Sequence, residues 1–504
     1  MRVYSVVLGC FAGLGSFLFG YDTGIITTSI AQPSFKDYMH NPNPAWTGAI
    51  VATYIAGEVI GALAQSAIGD SLGRKRFMGL MCIIITFGTS IQTGAHNFSM
   101  FLAGRILTGI AGGALNGTVP MYNVEISPPE IRGFVAGMSG LMIIAGTCTA
   151  NWVGYVCGYA GYGQFQWCFP LAMQIPPGVI LLISLCTFLP ESPRWLILKG
   201  QDERAYSTFA KITGSVSLSE TRHAFEDMRE QVLYEQRHEV KSLREAWYRY
   251  RKRVFIAIAV TGMTPLTGVS VIAYCGSSLQ YNIIRTALTL LFPDRPNHTL
   301  SSFRHRRSDR APDVGSLRYR GLPCQCNISP SCGVGRVTML KVALPSVMGI
   351  LIYSAIMGHF FNAGEDKIGK GFAILGLYLF TFTYYLGINS TTWIYGVEVL
   401  PVSLRNIVTG WAAATHFLFN ISVSEAGPTA FANIRENYYY VFAAATAVFS
   451  LFVYVYCPET KGRSLEAIAE SFGDKVVTLD DAKSEVPVYV EKARDEQVEV
   501  VPIA

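Results

Sequence analysis

The sequence predicts an all-α membrane protein made of two related six-helix halves, and three observations carry this. Only 15% of its 504 residues are charged while 50% are hydrophobic, against roughly a quarter charged in soluble domains. The charges are also segregated. No Asp, Glu, Lys or Arg occurs from Gly133 to Pro190 or from Phe77 to Gly104, and a spanning helix needs about 20 apolar residues. Finally, charged motifs at helix ends recur at nearly constant separation along the chain. This composition excludes a soluble enzyme, a disordered scaffold and a secreted disulfide domain.

The first span, 3–30, enters an apolar run at Val3 behind a single arginine, with no cleavage-site pattern near its end. It reads as a spanning helix and not as a signal peptide. Further spans fall at 46–68, 77–95, 100–122, 133–157 and 167–189, completing an N-terminal half over 1–190. A polar stretch, 191–253, carries Arg194, Lys199, Arg204 and the basic cluster at 249–253, and is expected to form short amphipathic helices. The second half, 254–457, offers spans at 254–280, 339–361, 371–396, 407–431 and 438–457, and a polar tail follows over 458–504. Eleven spans are therefore visible, six and then five. Lys and Arg gather in the even-numbered loops, as in Arg74–Arg76, Arg132 and 191–253, which places those loops in the cytoplasm.

The halves repeat. Glu125-Ile-Ser-Pro128 through Arg132 is answered by Glu398-Val-Leu-Pro401 through Arg405, at a shift of 273 residues. Pro190-Glu191 is answered by Pro458-Glu459 at 268, and Gly73-Arg74 by Gly335-Arg336 at 262. Such repeats are typical of transporters that rock two halves about a midplane site. The shift places an eighth helix near 314–336, yet residues 285–336 hold nine arginines, no lysine and no glutamate. That stretch cannot span a bilayer. Two readings stand: a basic disordered insertion, or, favoured by arginine without lysine, sequence foreign to the rest of the chain, as a frameshift or unremoved intron produces. The anomalous zone is taken as 281–336.

Together these motifs resemble the sugar porter branch of the major facilitator superfamily, in particular fungal monosaccharide and polyol transporters. The resemblance rests on Gly20-Tyr21-Asp22, Asp70-Ser-Leu-Gly73-Arg74-Lys75, Gly104-Arg105 and Pro120-Met-Tyr122 through Arg132-Gly133. Pro190-Glu191-Ser192-Pro193-Arg194, Trp393 through Arg405, and Pro458-Glu459-Thr460-Lys461-Gly462 complete it. It implies a major facilitator fold and alternating-access transport of a monosaccharide or polyol. It also implies a plasma-membrane location, a monomer in the lipid bilayer, no cofactor and no nucleic-acid partner.

Asp22 lies some 20 residues into an apolar helix, where an ionisable group marks a functional site. The resemblance pairs it with Arg105 and assigns the two to proton coupling, since a carboxylate that loses its cationic partner binds a proton more readily. A static pair in a uniporter is the alternative. Glu58, within the second span, is a further candidate without a matching motif. Asp70, Glu125, Glu191, Glu398 and Glu459 can face Arg74, Arg132, Arg194 and Arg405 across helix ends. Such pairs act as conformational latches if they form in one state only; otherwise they orient helices during insertion.

The substrate positions depart from the family pattern. The usual fifth-helix glutamine is Gly140, with Thr147 two turns on along the same face. The seventh-helix amide motif reads Thr264-Pro-Leu-Thr267-Gly-Val-Ser270, followed by Tyr274-Cys275. The Gly-Pro before the tenth-helix tryptophan is Asn389-Ser390, Trp393 is kept, and an eleventh-helix Asn pair becomes His416 and Asn420. The expected substrate set is Thr147, Thr267, Ser270, Tyr274, Trp393, His416 and Asn420, with the indole covering a ring face. These changes lower the expectation of ordinary glucose selectivity.

Several signals are discounted. The glycines of Gly109-x-x-Gly112-Gly113 lie inside a span and permit helix contact. Cys324-x-Cys326 with Cys332 has no second ligand pair, so no metal is expected. Eight further cysteines, Cys10, Cys82, Cys148, Cys157, Cys168, Cys186, Cys275 and Cys457, sit singly in apolar segments and read as small core residues. Two other functions compete with transport: a sugar sensor of the same fold, and a transport-defective product, because eleven spans would put Pro458–Lys461 outside.

Overall fold

The computed structural model describes residues 2–40, 44–127, 131–213, 218–237, 243–270, 335–361, 367–400, 402–434, 437–460 and 472. Every regular element among them is helical. The first span is two helices, α1 (Arg2–Ala12) and α2 (Leu14–Ala31), followed by the short α3 (Pro33–Tyr38). The N-terminal bundle continues with α4 (Pro44–Leu72), α5 (Arg74–Thr93), α6 (Phe98–Glu125), α7 (Arg132–Gly158), α8 (Phe165–Ala172) and α9 (Ile175–Thr187). The polar stretch folds as α10 (Pro193–Leu198), α11 (Asp202–Thr213) and α12 (Leu218–Arg237), which bury Trp195, Ile197, Ala205, Phe225 and Val232 together. Helix α13 (Leu243–Gly262) crosses the expected boundary at 253 with a kink at Tyr250 and gives way to a 3-10 turn at Pro265–Thr267.

Beyond it lie α14 (Arg336–Phe361), α15 (Lys367–Tyr384), a π turn over Tyr385–Asn389, α16 (Ser390–Glu398), α17 (Val402–Ile434) and α18 (Tyr438–Tyr456). Among the described residues, eight helical stretches are long and apolar enough to cross a membrane. The other three expected spans are each altered. The span at 254–280 continues past 270 outside the described residues, 371–396 is interrupted by the π turn, and 407–431 lies in a 33-residue helix. Of the anomalous zone 281–336, in which an eighth helix was expected near 314–336, residues 281–334 also lie outside the described residues.

Large apolar side chains such as Ile83, Phe87, Trp152, Leu451 and Tyr454 are exposed around the bundle, as a lipid-facing perimeter requires. Cys148 and Cys186 lie on that perimeter. They are therefore not the core residues the sequence suggested, because a small sulfur side chain is as compatible with lipid as with a core.

Helices α4 and α6 approach closely. A Cβ on Gly113 would enter the backbone of Glu58, and one on Gly61 the carbonyl of Ile110, so the glycines serve helix packing. The halves meet in a shared core of Tyr54, Ile55 and Ala62 from α4, Trp393 from α16, and Ala413, Ala414 and Phe417 from α17. Asn406 of α17 donates to the carbonyl of Gln65 at 3.0 Å, and Ser66 Oγ donates to the carbonyl of Ile407 at 3.2 Å. These bonds close α4 against α17 toward the end that bears the basic motifs.

Candidate functional site

Three groupings of polar residues stand out, and the first is inside the N-terminal bundle. Arg105 Nη1 of α6 donates to Asp22 Oδ1 of α2 at 2.8 Å, with each side chain 1% exposed. Gln174, at the entry to α9, donates to the same carboxylate oxygen at 2.7 Å, and Thr89 Oγ1 donates to Gln174 Oε1 at 3.2 Å. The guanidinium lies 4.2 Å from the centroid of the Tyr54 ring. One turn along α4 from Tyr54, the buried Glu58 is within electrostatic reach of both Asp22 and Arg105. Gln174 was missed by sequence reasoning; its only signal is an amide inside an apolar span.

The second grouping surrounds Trp393 at the junction of the halves. Two cavities flank the indole. One is lined by Thr261, Gly396, Thr409 and neighbouring apolar residues; the other, by Asn116, Ser139, Gly140, Asn389 and Ser390. The His416 ring sits 5.3 Å from Trp393, and its Nδ1 donates to the carbonyl of Thr261 at 3.0 Å. A carbonyl only accepts, so this bond fixes the proton on Nδ1. Asn420 lies one turn further along α17 and accepts from Ser424 Oγ at 3.2 Å.

The remaining expected substrate residues lie elsewhere. Thr147 Oγ1 is shared between the carbonyls of Gly20 and Ile143, 3.0 Å from each, and belongs to the α2–α7 contact. Thr267 Oγ1 donates to the carbonyl of Thr264 at 2.8 Å, and Ser270 is buried at the end of its described segment. Tyr274 lies outside the described residues. Asn116 and Ser139 were not anticipated, because nothing in the sequence says which face of α6 or α7 meets α16.

The third grouping is at the basic end, and it shows the duplication in side chains. Arg74 pairs with Glu125 through Nε–Oε2 and Nη2–Oε1 contacts of 3.2 Å each, and with Asp70 at 2.7 Å. In the second half Arg336 pairs with Glu398. Tyr122 donates to the carbonyl of Pro190 at 2.7 Å, and Tyr395 to that of Pro458 at 3.1 Å. Glu191 accepts the Lys75 amide at the start of α5, with contacts of 3.2 and 3.3 Å; Glu459 accepts the amides of Arg336 at 2.8 Å and Thr338 at 3.0 Å at the start of α14. Each carboxylate satisfies amides that a helix start leaves unpaired and meets the positive end of its dipole. Burial pushes the Glu191 carboxyl above its ordinary value, against these amide bonds.

Glu398 thus meets Arg336, whereas Arg405 donates to the carbonyls of Val397 and Leu400 at 3.1 and 3.3 Å. Both Arg405 and Arg194 lie within electrostatic reach of Glu125. The side chain of Arg132 lies outside the described residues.

A family model described as "Sugar (and other) transporter" matches residues 8–290 and 327–472. The chain belongs to that family. The interruption in the match, 291–326, falls inside the arginine-rich stretch. Among relatives of this Sugar (and other) transporter chain, the MFS-type transporter criB of Aspergillus cristatus is 32% identical, covering 93% of this chain and 94% of its own. A high-affinity glucose transporter of Kluyveromyces lactis is 25% identical over 94% and 86% of the two chains. The proton:xylose symporter XylE, solved with 6-bromo-6-deoxy-D-glucose, superposes with a TM-score of 0.73 at 19% identity, covering 94% of this chain and all of that one. The chain is accordingly a multi-pass membrane transporter of the major facilitator fold, and not an enzyme.

Proposed function

We propose that this chain is a secondary active transporter that carries a neutral monosaccharide or related polyol by alternating access, with a proton as co-substrate. The observation that carries the reading is the Asp22–Arg105 pair, enclosed in an apolar bundle and held from a third helix by Gln174. A buried ion pair is a poor device for stability alone, since its desolvation offsets its attraction. In coupling, protonation of Asp22 weakens its hold on Arg105 and biases the two arrangements of the halves. The similarity to the proton:xylose symporter XylE supports this assignment.

Substrate sits at the Trp393 junction. Opening toward the basic end requires breaking the Asn406–Gln65 and Ser66–Ile407 bonds. That end faces the cytoplasm by its Lys and Arg content. The test is uptake of labelled hexoses, pentoses and polyols by proteoliposomes with and without an imposed proton gradient. Gradient-stimulated accumulation that Asp22→Asn abolishes is expected. Uptake indifferent to both the gradient and Asp22→Asn defeats proton coupling, and no uptake of any probe defeats the transporter reading for these substrates.

A further inference from the structure

The second spanning helix carries a carboxyl group that the Asp22–Arg105 pair leaves unused. Glu58 lies near the middle of the apolar stretch Gly48–Leu72 and is 1% exposed. Apart from the Tyr54 hydroxyl one turn earlier on α4, neither of its carboxyl oxygens has a hydrogen-bond partner among the described residues. An ionised carboxylate in an apolar bundle without a bonded cation bears a desolvation penalty that nothing offsets. The neighbouring pair is itself incompletely engaged. Asp22 Oδ1 accepts from both Arg105 Nη1 and Gln174, whereas Asp22 Oδ2 and Arg105 Nε are buried with no partner. A guanidinium can grip a carboxylate through two parallel bonds; here one bond forms and a donor is left over.

Two carboxyl groups thus stand within electrostatic reach of one cation. Ionising both leaves an excess negative charge in the bundle; ionising one leaves none. The helices packed on α4 bring no other charge to this level. Helix α5 carries Arg74, Lys75 and Arg76 at its start, where Arg74 meets Asp70, and the buried thiol Cys82 further on. Helix α6 adds Tyr122 and Glu125 at its far end. Helix α17 has Arg405 on the carbonyls of Val397 and Leu400, His416 on the carbonyl of Thr261, and Glu425 near Gly48. Gly48 is about 15 Å along α4 from Glu58, at 1.5 Å per residue.

Resting on the proton-coupling reading above, we infer that Glu58 is a second proton-binding carboxyl of the coupling site, sharing Arg105 and a single proton with Asp22. While Arg105 holds Asp22, the proton is on Glu58. When Arg105 turns to Glu58, that proton passes to the Asp22 carboxylate: one O–H bond breaks, one forms, and the net charge stays zero. The cation changes partner without leaving an uncompensated charge in the bundle. The backbones of α4 and α6 cannot supply this movement, because Cβ atoms on Gly109 and Gly113 would already enter the backbone of Tyr54 and Glu58. It falls to the Arg105 side chain, whose guanidinium lies 4.2 Å from the centroid of the Tyr54 ring. Tyr54 also packs in the core that contains Trp393 and Phe417, so a shift of Arg105 off that ring reaches the junction of the halves.

The experiment is infrared spectroscopy of the purified full chain in detergent at neutral pH. Variants are compared with the parent in the C=O stretching band of protonated carboxyl groups, identified by its shift in heavy water. Glu58→Gln should remove intensity from that band. Asp22→Asn should remove it as well, because Glu58 must then ionise to compensate Arg105. Arg105→Met should add intensity, since both carboxyls are then neutral. Asp22→Asn leaves Glu58 in place and decides the matter if Glu58→Gln does not fold. The inference is overturned if folded Glu58→Gln keeps the parent band, or if Arg105→Met gains nothing. It is equally overturned if Asp22→Asn keeps the band, as a proton fixed on Glu58 for packing alone would require. Gradient-driven uptake by the same variants is measured separately. Glu58→Gln should lose accumulation as Asp22→Asn does, and accumulation like the parent's overturns the part of Glu58 in coupling. Infrared changes as described, in a parent that accumulates no probe, leave the shared proton standing and defeat the transport proposal.

Discussion

Replacing Glu125 with alanine isolates the energetics of the basic end. Arg74 is 2% exposed, and two of its nitrogens meet the Glu125 carboxylate, whose side chain is 1% exposed. Its other partner, Asp70, has a side chain 44% exposed and is well solvated. Glu125→Ala therefore leaves a buried guanidinium with one solvent-screened partner. Breaking a buried pair from one side costs roughly 3–5 kcal/mol, and the residual Asp70 contact places the expected loss near the lower figure. Glu125→Gln keeps the shape and one acceptor, so it should cost less, about 1.5–3 kcal/mol for a charge-assisted bond. The double replacement Arg74→Met with Glu125→Leu removes both charges and should be near neutral or stabilising by about 1–4 kcal/mol. Equilibrium unfolding of the purified chain in detergent, read for Arg74→Met, Glu125→Leu and the two together, gives the coupling energy. A loss below about 1 kcal/mol for Glu125→Ala, or single losses that simply add in the double, would refute the claim that Arg74 depends on Glu125 for compensation.

Three further outcomes follow from other contacts. Gln174→Leu removes the amide that donates to Asp22; a loss of roughly 1.5–3 kcal/mol is expected in the same unfolding assay, and an unchanged midpoint would show that the bond contributes nothing. Gly113→Ala drives a methyl into the Glu58 backbone, where no flexible side chain can yield; overpacking of about 1–3 kcal/mol is expected, and cysteine cross-linking between α4 and α6 should report their separation. Glu191 has a pH signature: its carboxyl is raised by burial, so the folded state holds the proton more tightly than the unfolded chain. Stability from this group is then greatest below the ordinary carboxylate range and falls as pH rises through the raised value. The parent should gain on Glu191→Gln as pH is lowered toward 4 (about the usual carboxylate value); a gap that stays constant or shrinks on acidification contradicts the burial effect.

How much was legible in the sequence depends on where each residue's partner lies. Carboxylate, proline and arginine at matched offsets identified the duplication, and Arg74, Glu125, Glu191, Glu398 and Glu459 do converge at one end of the bundle. Helix ends advertise themselves, because their unpaired amides and dipoles demand charged partners nearby. The pairing was less legible: Arg405 was expected among the cations facing the carboxylates and donates to the carbonyls of Val397 and Leu400, while Arg336, outside that set, reaches Glu398. Asp22 and Arg105 were readable because a charge in an apolar span is rare. Asn116, Ser139 and Gln174 were not, since a single amide or hydroxyl in a span is common and its meaning depends on the facing helix. Thr147, placed by spacing on the face of Gly140, bonds through its hydroxyl to the carbonyls of its own helix and α2, a contact that spacing along one helix does not reveal.

The duplication also shows which parts of the molecule are free to change. Arg74 with Glu125, Tyr122 with Pro190 and Glu191 with the start of α5 have counterparts in Arg336 with Glu398, Tyr395 with Pro458 and Glu459 with the start of α14. Even the glycine before each helix is matched: a Cβ on Gly73 would come within 2.7 Å of the Glu191 carboxylate, and one on Gly335 would collide with that of Glu459. Each capping carboxylate sits against backbone amides and a bare glycine, so a side chain at either glycine would crowd it. The Trp393 cavity is built differently, from α6 and α7 on one side and α16 on the other, with no symmetric copy of Asn389 or Ser390 required. There a change on one helix can be answered by a change on the facing helix, as Gly140 and Ser390 illustrate, since a Cβ on Gly140 would run into Ser390 Oγ. Motifs in the sequence therefore identify the family through contacts at helix ends within each half, whereas the Trp393 cavity is lined by side chains that meet only once the halves are assembled.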